Sequence, residues 1–493
     1  MNTIDDVASR VRPQIPLLQR ELGGRPLVFL DNASTTPKPR SVIDAVVNVY
    51  ENATANVHRG VHSLGEEATR LFDDARREVA TLIGATPAEI VLVRGTTEAI
   101  NFVANGLELK PDDEVVFPAS EHHANWIPWR VHGKPVPVPI DEDGVPRWEL
   151  IESLITPKTR LVSIGHVSNV TGAIAPVEEV VKIAHARGVP VLLDAAQSLS
   201  HFPIDVQRLG VDFLAASSHK AFGPSGVGIL YGKKDFLQKC PLYQVGGGMI
   251  SLNNDIDVGG FVPRDAPFKF EAGTPAIEAT IGFGAAIKWM RNIGMDVIRE
   301  HDVAMSKYLM DGLSDIPGVR VLAKKLPPEK RIALATFVVD APAMTQESVA
   351  RALCDMFAVC VSAGFHCTHV LHARAHLPGT VRASPHVFNT KEEIDTLLEG
   401  VHFPRGTAAA DIGWEALAVN LSDLAAMGAS PAWALLALTL PDADAAFVEG
   451  LAEGFAKLAQ PHRLALVGGD TTRGPLSISV AVHGFVPPGK ARV

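Results

Sequence analysis

The segment "VDFLAASSHKAFGPSGVGILYG" (Val211–Gly232) places one lysine between two apolar runs. The runs at either end have the apolar composition of buried strands. Lys220 follows a histidine and precedes a turn rich in glycine and proline, so it stands where the first run ends. A lone lysine at such a place is commonly solvated. The segments around it therefore decide whether Lys220 has a chemical role.

Four earlier runs, "EIVLV", "EVVFP", "RLVSIG" and "VPVLLD", resemble the two that flank Lys220. Continuous apolar runs that alternate with helical stretches are typical of buried parallel strands. The pattern from Glu89 to Leu230 predicts a doubly wound α/β domain with a mostly parallel sheet. Residues 284–401 predict a smaller α+β domain after a long helix. The alanine-rich segment beyond Phe403 predicts helices, and "LALVGGDTTRGPLSISVAVHGF" then supplies two strand candidates for a third unit.

Composition limits the function classes. The 493 residues are 47% hydrophobic and 20% charged, as in a globular protein of more than one domain. The formal charge of −10 gives no footprint for nucleic acid or for an anionic membrane surface. Apolar runs are too short to span a membrane, and Asp5 and Asp6 do not suit a secretory signal. The 4 cysteines lack paired short spacing, so we expect a reducing, cytoplasmic location and small-molecule or protein partners.

Polar side chains follow five of the predicted strands at the points where the strands end. Ligands of doubly wound sheets bind beyond these carboxyl ends, so the side chains are expected at one edge. The set contains hydroxyls, imidazoles, a carboxamide, a carboxylate and an amine. Its members are Thr96, Thr97, His122, His123, Asn169, Asp194, Gln197, Ser217, His219 and Lys220.

This set suits one cofactor. Asp194 ends an apolar strand, where an unpaired carboxylate is costly, so it is expected to face a cation or a protonated ring nitrogen. The hydroxyls of Thr96, Thr97 and Ser217, together with His219, are suited to a phosphate. A lysine, an acid and a phosphate cup are the parts that pyridoxal 5'-phosphate requires.

Residues from about Leu27 to Val401 resemble the class V aminotransferase-fold enzymes, within them the Suf-type cysteine desulfurases and selenocysteine lyases. The resemblance implies the type I fold of pyridoxal-phosphate transferases and a homodimer. It divides the chain into an N-terminal segment (1–26), a cofactor-binding domain (27–283) and a small domain (284–401). The matching strings are "LDNASTTPKP", "NVHRGVHSLG", "VRGTTEAINFVAN", "SEHHANWIPW", "HVSNVTG", "DAAQS", "SSHKAFGPSGVGILYG", "FEAGTP" and "VRASPHVFNT".

The resemblance implies a role for each matching residue. Lys220 binds the cofactor's aldehyde and moves protons, while Asp194 holds the ring nitrogen and Gln197 contacts the ring hydroxyl. His122 stacks on the ring and acts in acid–base steps, with His123 the weaker candidate. The remaining roles are phosphate binding by Thr97, Ser217, His219 and, from a second subunit, Thr274, and substrate binding by Ala33, Asn169 and Arg382.

Cys367 in "SAGFHCTHVLH" stands where the family places the nucleophile for sulfur. Its loop position near His366 and His369 suits a reactive thiolate. The implied reaction converts L-cysteine or L-selenocysteine to L-alanine, with a persulfide on Cys367 passed to a protein acceptor for iron–sulfur clusters or another sulfur supply. The chain departs from the family at Ser362, where the pattern has an arginine.

Other interpretations remain open. The cofactor also serves epimerases and transaminases, and a scaffold with vestigial catalysis is the alternative outside enzymes. Cys367 with His369, His372 and His376 has a spacing that could bind zinc, although one thiol can hardly serve both a metal and persulfide chemistry. Cys354 and Cys360 are expected to be small buried hydrophobes, and Cys240 has no special context.

The C-terminal residues 402–493 resemble part of thiamine-monophosphate kinase, from the N-terminal α/β domain of the AIR-synthase superfamily. The matching strings include "DIGWEALAVNLSDLAAMGASPAWALLALTLP" and "ALVGGDTTRGPLSISVAVHGF". By position, Asp395, Asp423 and Asp470 match acidic residues that hold magnesium and nucleotide phosphates. Because the family's upstream acidic segment and second domain are not matched, we expect at most a weak site for magnesium and ATP. A structural or dimerising appendage is expected rather than an active kinase.

Overall fold

The computed structural model of the protein describes residues 4–251, 260–340, 345–401, 408–440, 444–473 and 477–487. The chain divides into two units. Unit 1 runs to Leu397 apart from Ile316–Gly318, and unit 2 comprises Ile316–Gly318 and the chain from Leu398 onward. The domain predicted for residues 27–283 therefore lies in unit 1, and so does the domain predicted for 284–401 apart from Ile316–Gly318 and the residues from Leu398 onward.

An amphipathic helix opens unit 1. Helix α1 (Ile4–Val11) buries Ile4, Val7, Ala8 and Val11, which recur with the period of a helix face. Strands β1 (Glu21–Leu22) and β2 (Arg25–Pro26) form a short antiparallel pair. They are followed by β3 (Val28–Phe29), α2 (Arg40–Asn52) and α3 (Ser63–Leu82).

A seven-stranded sheet forms the centre of unit 1, with the spatial order β4–β10–β9–β8–β7–β5–β6. The neighbouring pairs β6–β5, β5–β7, β7–β8 and β8–β9 are all parallel. Strand β10 is antiparallel to both of its neighbours, β9 and β4. The sheet is therefore mostly parallel, as predicted. The bounds are β4 (Ile90–Val93), β5 (Glu114–Pro118), β6 (Lys134–Val138), β7 (Thr159–Gly165), β8 (Val191–Asp194), β9 (Phe213–Ser217) and β10 (Gly228–Gly232).

Two strands differ from the sequence interpretation. The apolar run that follows Lys220 predicts another parallel strand, which is wrong for β10. The chain between Ser217 and Gly228 holds only the 3-10 turn Ser218–Lys220 and loops, and a parallel return needs a crossover of about a dozen residues or more, usually a helix. Strand β6 ("KPVPV") was not predicted, because its two prolines disfavour pairing; it lies at the sheet edge, where proline is tolerated.

Apolar side chains from both faces of the sheet form separate cores. Leu193 and Leu214 belong to one buried cluster, whereas Leu192 and Phe213 belong to another. This alternation means that both faces of the sheet are covered, as the continuous apolar runs predict. The connecting helices are α4 (Thr96–Gly106), α5 (Ile127–His132), α6 (Ile151–Leu154), α7 (Val177–His185), α8 (Val206–Leu209) and α9 (Lys234–Lys239).

The remaining part of unit 1 contains the predicted small α+β domain. Helix α10 (Ile277–Ile293) spans the predicted boundary after residue 283, and α11 (Met295–Ser314) follows it. An antiparallel sheet has the order β11–β12–β15–β14, while β13 pairs with β3 in parallel. The bounds are β11 (Val319–Val321), β12 (Ala335–Val339), α12 (Gln346–Phe357), β13 (Val359–Cys360), β14 (Ser362–Gly364), α13 (His369–Arg374), β15 (Thr380–Ala383) and α14 (Lys391–Val401).

Unit 2 combines two helices with a three-stranded sheet. Strand β16 (Ser430–Leu440) is central, parallel to β17 (Ala465–Arg473) and antiparallel to β18 (Ser477–Phe485). Helices α15 (Ala409–Ala426) and α16 (Ala445–Ala459) pack against each other. The alanine-rich composition predicts helix throughout this segment, which is wrong for β16: sheet pairing on both sides overrides its helix propensity.

Within the described ranges, no helix of the chain combines the length and apolar character needed to span a membrane.

Candidate active site

A cavity of about 430 Å³ lies at the carboxyl ends of the central strands in unit 1. It gathers most of the predicted site residues, because strand ends of a parallel sheet meet at one edge. His123 and Thr274 are not among the lining residues, and Thr274 is exposed. The predicted residues that line the cavity are Ala33, Thr96, Thr97, His122, Asn169, Asp194, Gln197, Ser217, His219, Lys220, Cys367 and Arg382.

Lys220 ends the 3-10 turn that follows β9. Hydrogen bonds fix this turn at His219, whose carbonyl accepts from the Thr36 amide and from Lys38 Nζ, each at 3.0 Å. Burial lowers the pKa of Lys220 to about 8, and the positive charge of Arg382 adds to that effect. A neutral amine is therefore accessible near neutral pH.

Asp194 is the last residue of β8 and is buried. Its Oδ1 accepts a 2.9 Å hydrogen bond from the Ala196 amide. Burial raises the pKa of Asp194, because the charged form loses hydration. Neither Asp194 nor Lys220 forms a salt bridge with any residue that the structure describes. The cavity thus holds an acid and an amine that have no ion-pair partner among the described residues, so both can interact with a ligand.

The N-terminus of α4 forms one end of the cavity, next to Thr97. The first amides of a helix have no partners within it, so they favour an anion. Ser217 Oγ accepts a 2.8 Å hydrogen bond from the Thr96 amide and lies 2.8 Å from Thr96 Oγ1. Thr96 therefore orients Ser217. Burial lowers the pKa of His219 to about 4, which leaves its imidazole neutral at pH 7.

His122 begins the 3-10 turn His123–Asn125 after β5. Burial lowers the pKa of its imidazole to about 4, with Lys220 adding to the effect. Its Nδ1 accepts a 3.1 Å hydrogen bond from the Ala124 amide, so Nε2 carries the proton of the neutral ring. Gln197 is held by a 2.9 Å hydrogen bond from Nε2 to the carbonyl of Ala33.

Arg382 is a buried cation on β15. It donates hydrogen bonds to the Asn169 carbonyl at 3.0 Å and to Ser34 Oγ at 2.7 Å. Its Nε has no hydrogen-bond partner among the described residues, and Asp31 lies 3.4 Å from its Nη2. Ser362 also lines the cavity and pairs directly with Arg382 across the antiparallel strands. Ser362, which stands where the family pattern has an arginine, therefore faces the same cavity as Arg382.

The thiol of Cys367 is exposed on a loop with an unusual backbone. His366 and Cys367 both have positive φ, +47° and +57°. Such conformations cost free energy for residues other than glycine and persist where the surrounding structure imposes them. His366 Nε2 lies 3.0 Å from Thr380 Oγ1, and the Asn169 carboxamide donates a 2.9 Å hydrogen bond to the His366 carbonyl.

The histidines near Cys367 form a stack rather than a metal site. His369 stacks on His123 with ring centroids 4.9 Å apart, and Phe365 stacks on His369 at 4.8 Å. Burial lowers the pKa of His366 to about 3. In the part of the chain that the structure describes, no group of three or more His, Cys, Asp or Glu side chains is placed to hold a metal ion. The zinc alternative at Cys367 is therefore not assembled there.

The three aspartates proposed for magnesium fall in different parts of the chain. Asp395 belongs to unit 1, where its Oδ1 accepts a 2.6 Å hydrogen bond from the Tyr308 hydroxyl. Asp423 and Asp470 belong to unit 2. Asp395 thus already accepts a hydrogen bond within unit 1, and the ligand role implied by the resemblance stays a prediction.

Sequence reasoning overlooked Glu121, which precedes His122 and also lines the cavity. Its Oε1 accepts from the Gly165 amide at 2.8 Å and its Oε2 from Asn125 Nδ2 at 2.9 Å. Burial raises the pKa of Glu121 to about 8. The string "SEHHANW" contains the signal, a carboxylate three residues after the end of a buried strand.

The described residues fit pyridoxal 5'-phosphate. Lys220 and Asp194 supply the amine and the acid, both without ion pairs among the described residues, and Thr97, Ser217, His219 and the start of α4 supply donors for a phosphate. His122 and Gln197 line the space near them.

Comparison with known proteins defines the class. Residues 28–397 match the sequence profile described as Aminotransferase class-V, and residues 390–486 match AIR synthase related protein, N-terminal domain. The chain belongs to the class-V aminotransferase family. This confirms the predicted family, fold class and enzyme class, and the second match fits the resemblance found for the C-terminal part.

Several of the similar proteins are cysteine desulfurases or probable cysteine desulfurases. A probable cysteine desulfurase from Synechocystis sp. is 40% identical over 407 residues, which are 81% of this chain and 96% of that protein. A cysteine desulfurase from Dickeya dadantii is 38% identical over 80% of this chain and 95% of its own length. The structure of apo cysteine desulfurase from Thermococcus onnurineus NA1 superimposes with a TM-score of 0.74 at 34% identity, covering 79% of this chain and 96% of that one.

Proposed function

We propose that this chain is a pyridoxal-phosphate-dependent cysteine desulfurase, which converts L-cysteine to L-alanine and retains the sulfur as a persulfide on Cys367. One observation carries the proposal: Lys220, Asp194 and the exposed Cys367 line the same cavity. The amine and the acid suit the cofactor, and the thiol is the additional group that sulfur transfer needs. The names of the similar proteins support the same activity.

Pyridoxal phosphate, when bound, supplies an electron sink that weakens the bonds at the substrate's Cα. Asp194 would hold its ring nitrogen protonated, and Lys220 would bind its aldehyde. Gln197 would contact the ring hydroxyl and His122 the ring face. The phosphate would be held by Thr97, Ser217 and His219, with Thr96 keeping Ser217 in place.

The substrate's carboxylate is recognised at Arg382, which is buried and keeps one N–H without a partner among the described residues. An arginine binds a carboxylate more strongly than a neutral donor does. Asn169 is the second residue proposed to bind the carboxylate. It lies beside Arg382, because its main-chain carbonyl accepts a hydrogen bond from Arg382. Ala33 borders this side of the cavity. With Ser362 in place of a second arginine, we expect a weaker grip on the carboxylate.

Lys220 and His122 are the groups that hold and move protons. With its pKa lowered to about 8, Lys220 has a substantial neutral fraction at pH 7 to 8 and can take the proton from Cα. His122 is neutral with its proton on Nε2, so it can donate there. His123 lies outside the cavity lining and is not assigned a proton transfer.

Cys367 receives the sulfur. Its thiolate attacks the substrate's sulfur, so an S–S bond forms while the substrate's Cβ–S bond breaks, and Cβ gains a proton to become the methyl group of alanine. The substrate carbon is reduced and the sulfur is oxidised to the persulfide level, so no external oxidant is needed. Because the thiol is exposed, a thiol of a protein acceptor can collect the sulfur for iron–sulfur clusters or another use.

The test compares the purified chain with Cys367→Ala, Lys220→Ala and, as a matched control, Cys354→Ser, whose thiol is half-buried. We expect the wild type and Cys354→Ser to bind the cofactor with a visible absorbance band and to form a persulfide with L-cysteine. Cys367→Ala should keep the band and lose the persulfide, and Lys220→Ala should lose the band. A wild type that binds no cofactor, or persulfide formation by Cys367→Ala, overturns the proposal. Alanine release from L-selenocysteine by Cys367→Ala would instead favour the lyase.

The same proposal includes a homodimer. Thr274 is exposed, and the cavity in its own chain does not include it. Its implied contact with the phosphate therefore requires a second copy. Light scattering at micromolar concentration should give twice the chain mass.

Unit 2 is proposed to have a structural role rather than kinase activity. No metal-binding cluster occurs within the ranges described for it. Isothermal titration of the full chain with Mg²⁺ and ATP should give no heat beyond dilution. A saturable binding curve would contradict this role.

A further inference from the structure

A buried histidine lies behind the lysine turn, on the side away from the cavity lining. His386 and Ser200 are each about 2% exposed, and neither lines the cavity. Ser200 Oγ donates a 3.0 Å hydrogen bond to the main-chain carbonyl of Lys220. His386 Nε2 lies 3.1 Å from Ser200 Oγ. Three residues that are far apart in the sequence thus form one hydrogen-bonded chain that ends on the backbone of Lys220.

The hydrogen bonds fix every proton in this chain. His386 Nδ1 accepts a 2.8 Å hydrogen bond from the Val387 amide, so the proton of the neutral ring lies on Nε2. That N–H donates to Ser200 Oγ, because the serine proton is already directed at the Lys220 carbonyl. The chain therefore runs in one direction, from His386 through Ser200 to Lys220. Charging the imidazole would break the bond from Val387, so the neutral ring is the form that fits.

Packing leaves the imidazole no freedom to turn. His201 lies against one side with ring centroids 4.3 Å apart, and Phe222 contacts it edge-on at 4.7 Å. The amide of His386 donates a 2.7 Å hydrogen bond to Asn389 Oδ1. The ring position, the backbone and the tautomer of His386 are therefore all fixed. A side chain fixed in this way is suited to orient another group.

We propose that His386 is a positioning residue that, through Ser200, fixes the main chain of Lys220 in the orientation that cofactor binding requires. The inference rests on the proposed role of Lys220. The carbonyl before Lys220, that of His219, is held by Thr36 and Lys38, and Ser200 and His386 hold the next one. With both carbonyls fixed, the lysine side chain leaves the turn in one direction. Without the Ser200 hydroxyl, the Lys220 carbonyl would lose the hydrogen bond that holds it, and the turn would rearrange.

The test uses four variants of the full chain. Ser200→Ala removes the middle link and His386→Phe the first, while His386→Gln retains a side-chain N–H donor. Ser306→Ala is the matched control for Ser200→Ala, because Ser306 is also a buried serine but its hydroxyl bonds no residue that the structure describes. The readouts are the dissociation constant for pyridoxal phosphate and hydrogen exchange of the amides of residues 218–223 in the cofactor-free protein.

We expect Ser200→Ala and His386→Phe to weaken cofactor binding about tenfold and to speed amide exchange in the turn. His386→Gln should stay within about threefold of the wild type, and Ser306→Ala should leave both readouts unchanged. Wild-type values in Ser200→Ala, or equal losses in Ser306→Ala and Ser200→Ala, overturn the inference. If His386→Phe does not fold, Ser200→Ala and His386→Gln decide. A wild type that binds no cofactor refutes the proposed function instead, and exchange in the turn still tests the positioning.

Discussion

The main-chain amide of His123 donates a 2.9 Å hydrogen bond to the main-chain carbonyl of Cys367. It joins the turn after β5, which carries His122, to the loop that carries the proposed nucleophile. The bond involves only main-chain atoms, so this link between the turn and the loop can form with any residue that has an N–H at position 123. On the loop side, two buried groups hold His366, the residue before Cys367. They are the hydroxyl of Thr380 and the carboxamide of Asn169.

Thr380→Val should slow persulfide formation by about fivefold to tenfold while leaving cofactor affinity unchanged. Thr380 is fully buried, and its Oγ1 lies 3.0 Å from His366 Nε2 and 3.1 Å from His372 Nε2. Valine has the same shape but leaves two buried imidazole nitrogens without a partner, so the strained loop relaxes. Single-turnover assays with L-cysteine measure the rate. Thr396→Val, at a half-buried position of α14, is the control. An unchanged rate in Thr380→Val would show that the loop holds its shape without this hydroxyl.

The pKa of Lys220 should move in opposite directions in two variants of the cofactor-free protein. Arg382 lowers this pKa and Asp194 raises it. In Arg382→Gln the repulsion of the ammonium form is lost, so the pKa rises from about 8 toward its ordinary value. In Asp194→Asn the attraction is lost, so the pKa falls. Trace acetylation of Lys220 against pH, read by peptide mass spectrometry, gives each midpoint. Shifts of the same sign in both variants would mean that general loosening, rather than charge, controls the amine.

The strand-end residues could be predicted from the sequence because a parallel sheet brings the carboxyl ends of its strands to one edge. Asp194 and Lys220 follow that rule, and the structure finds both at the cavity. The direction of β10 was missed, since apolar composition does not distinguish a parallel from an antiparallel neighbour. Strand β16 was missed because alanine and leucine favour a helix until sheet partners compete. The contact of His386 with Ser200 joins residues 186 positions apart, which local patterns do not reveal.

Mixing Thr274→Ala with Lys220→Ala should restore activity that each variant lacks alone. In the proposed homodimer, Thr274 serves the cavity of the other copy. A hybrid then has one cavity in which Lys220 comes from the first variant and Thr274 from the second, and that cavity is intact. After unfolding and refolding the mixture with cofactor, we expect about a quarter of the wild-type activity if copies pair at random. Activity no greater than the sum of the separate variants would place the role of Thr274 within its own chain.

Gly454→Ala should destabilise unit 2 without weakening cofactor binding by unit 1. A Cβ on Gly454 would lie well inside the van der Waals radius of the Ala410 carbonyl, and one on Gly413 would meet Leu451 in the same way. Helices α15 and α16 therefore approach closely only because both positions lack a side chain. Overpacking of this kind costs about 1 to 3 kcal/mol or more, since the helices must separate.

Hydrogen exchange of peptides from α15 and α16 measures the effect, and Ala456→Ser, on the exposed face of α16, is the control. We expect faster exchange throughout both helices in Gly454→Ala and wild-type exchange in the control. The affinity for pyridoxal phosphate should be the same in all three proteins, because every residue proposed to hold the cofactor from within the chain belongs to unit 1. Loss of cofactor affinity in Gly454→Ala would show that the C-terminal unit supports the site, and would replace a purely structural role with a functional one.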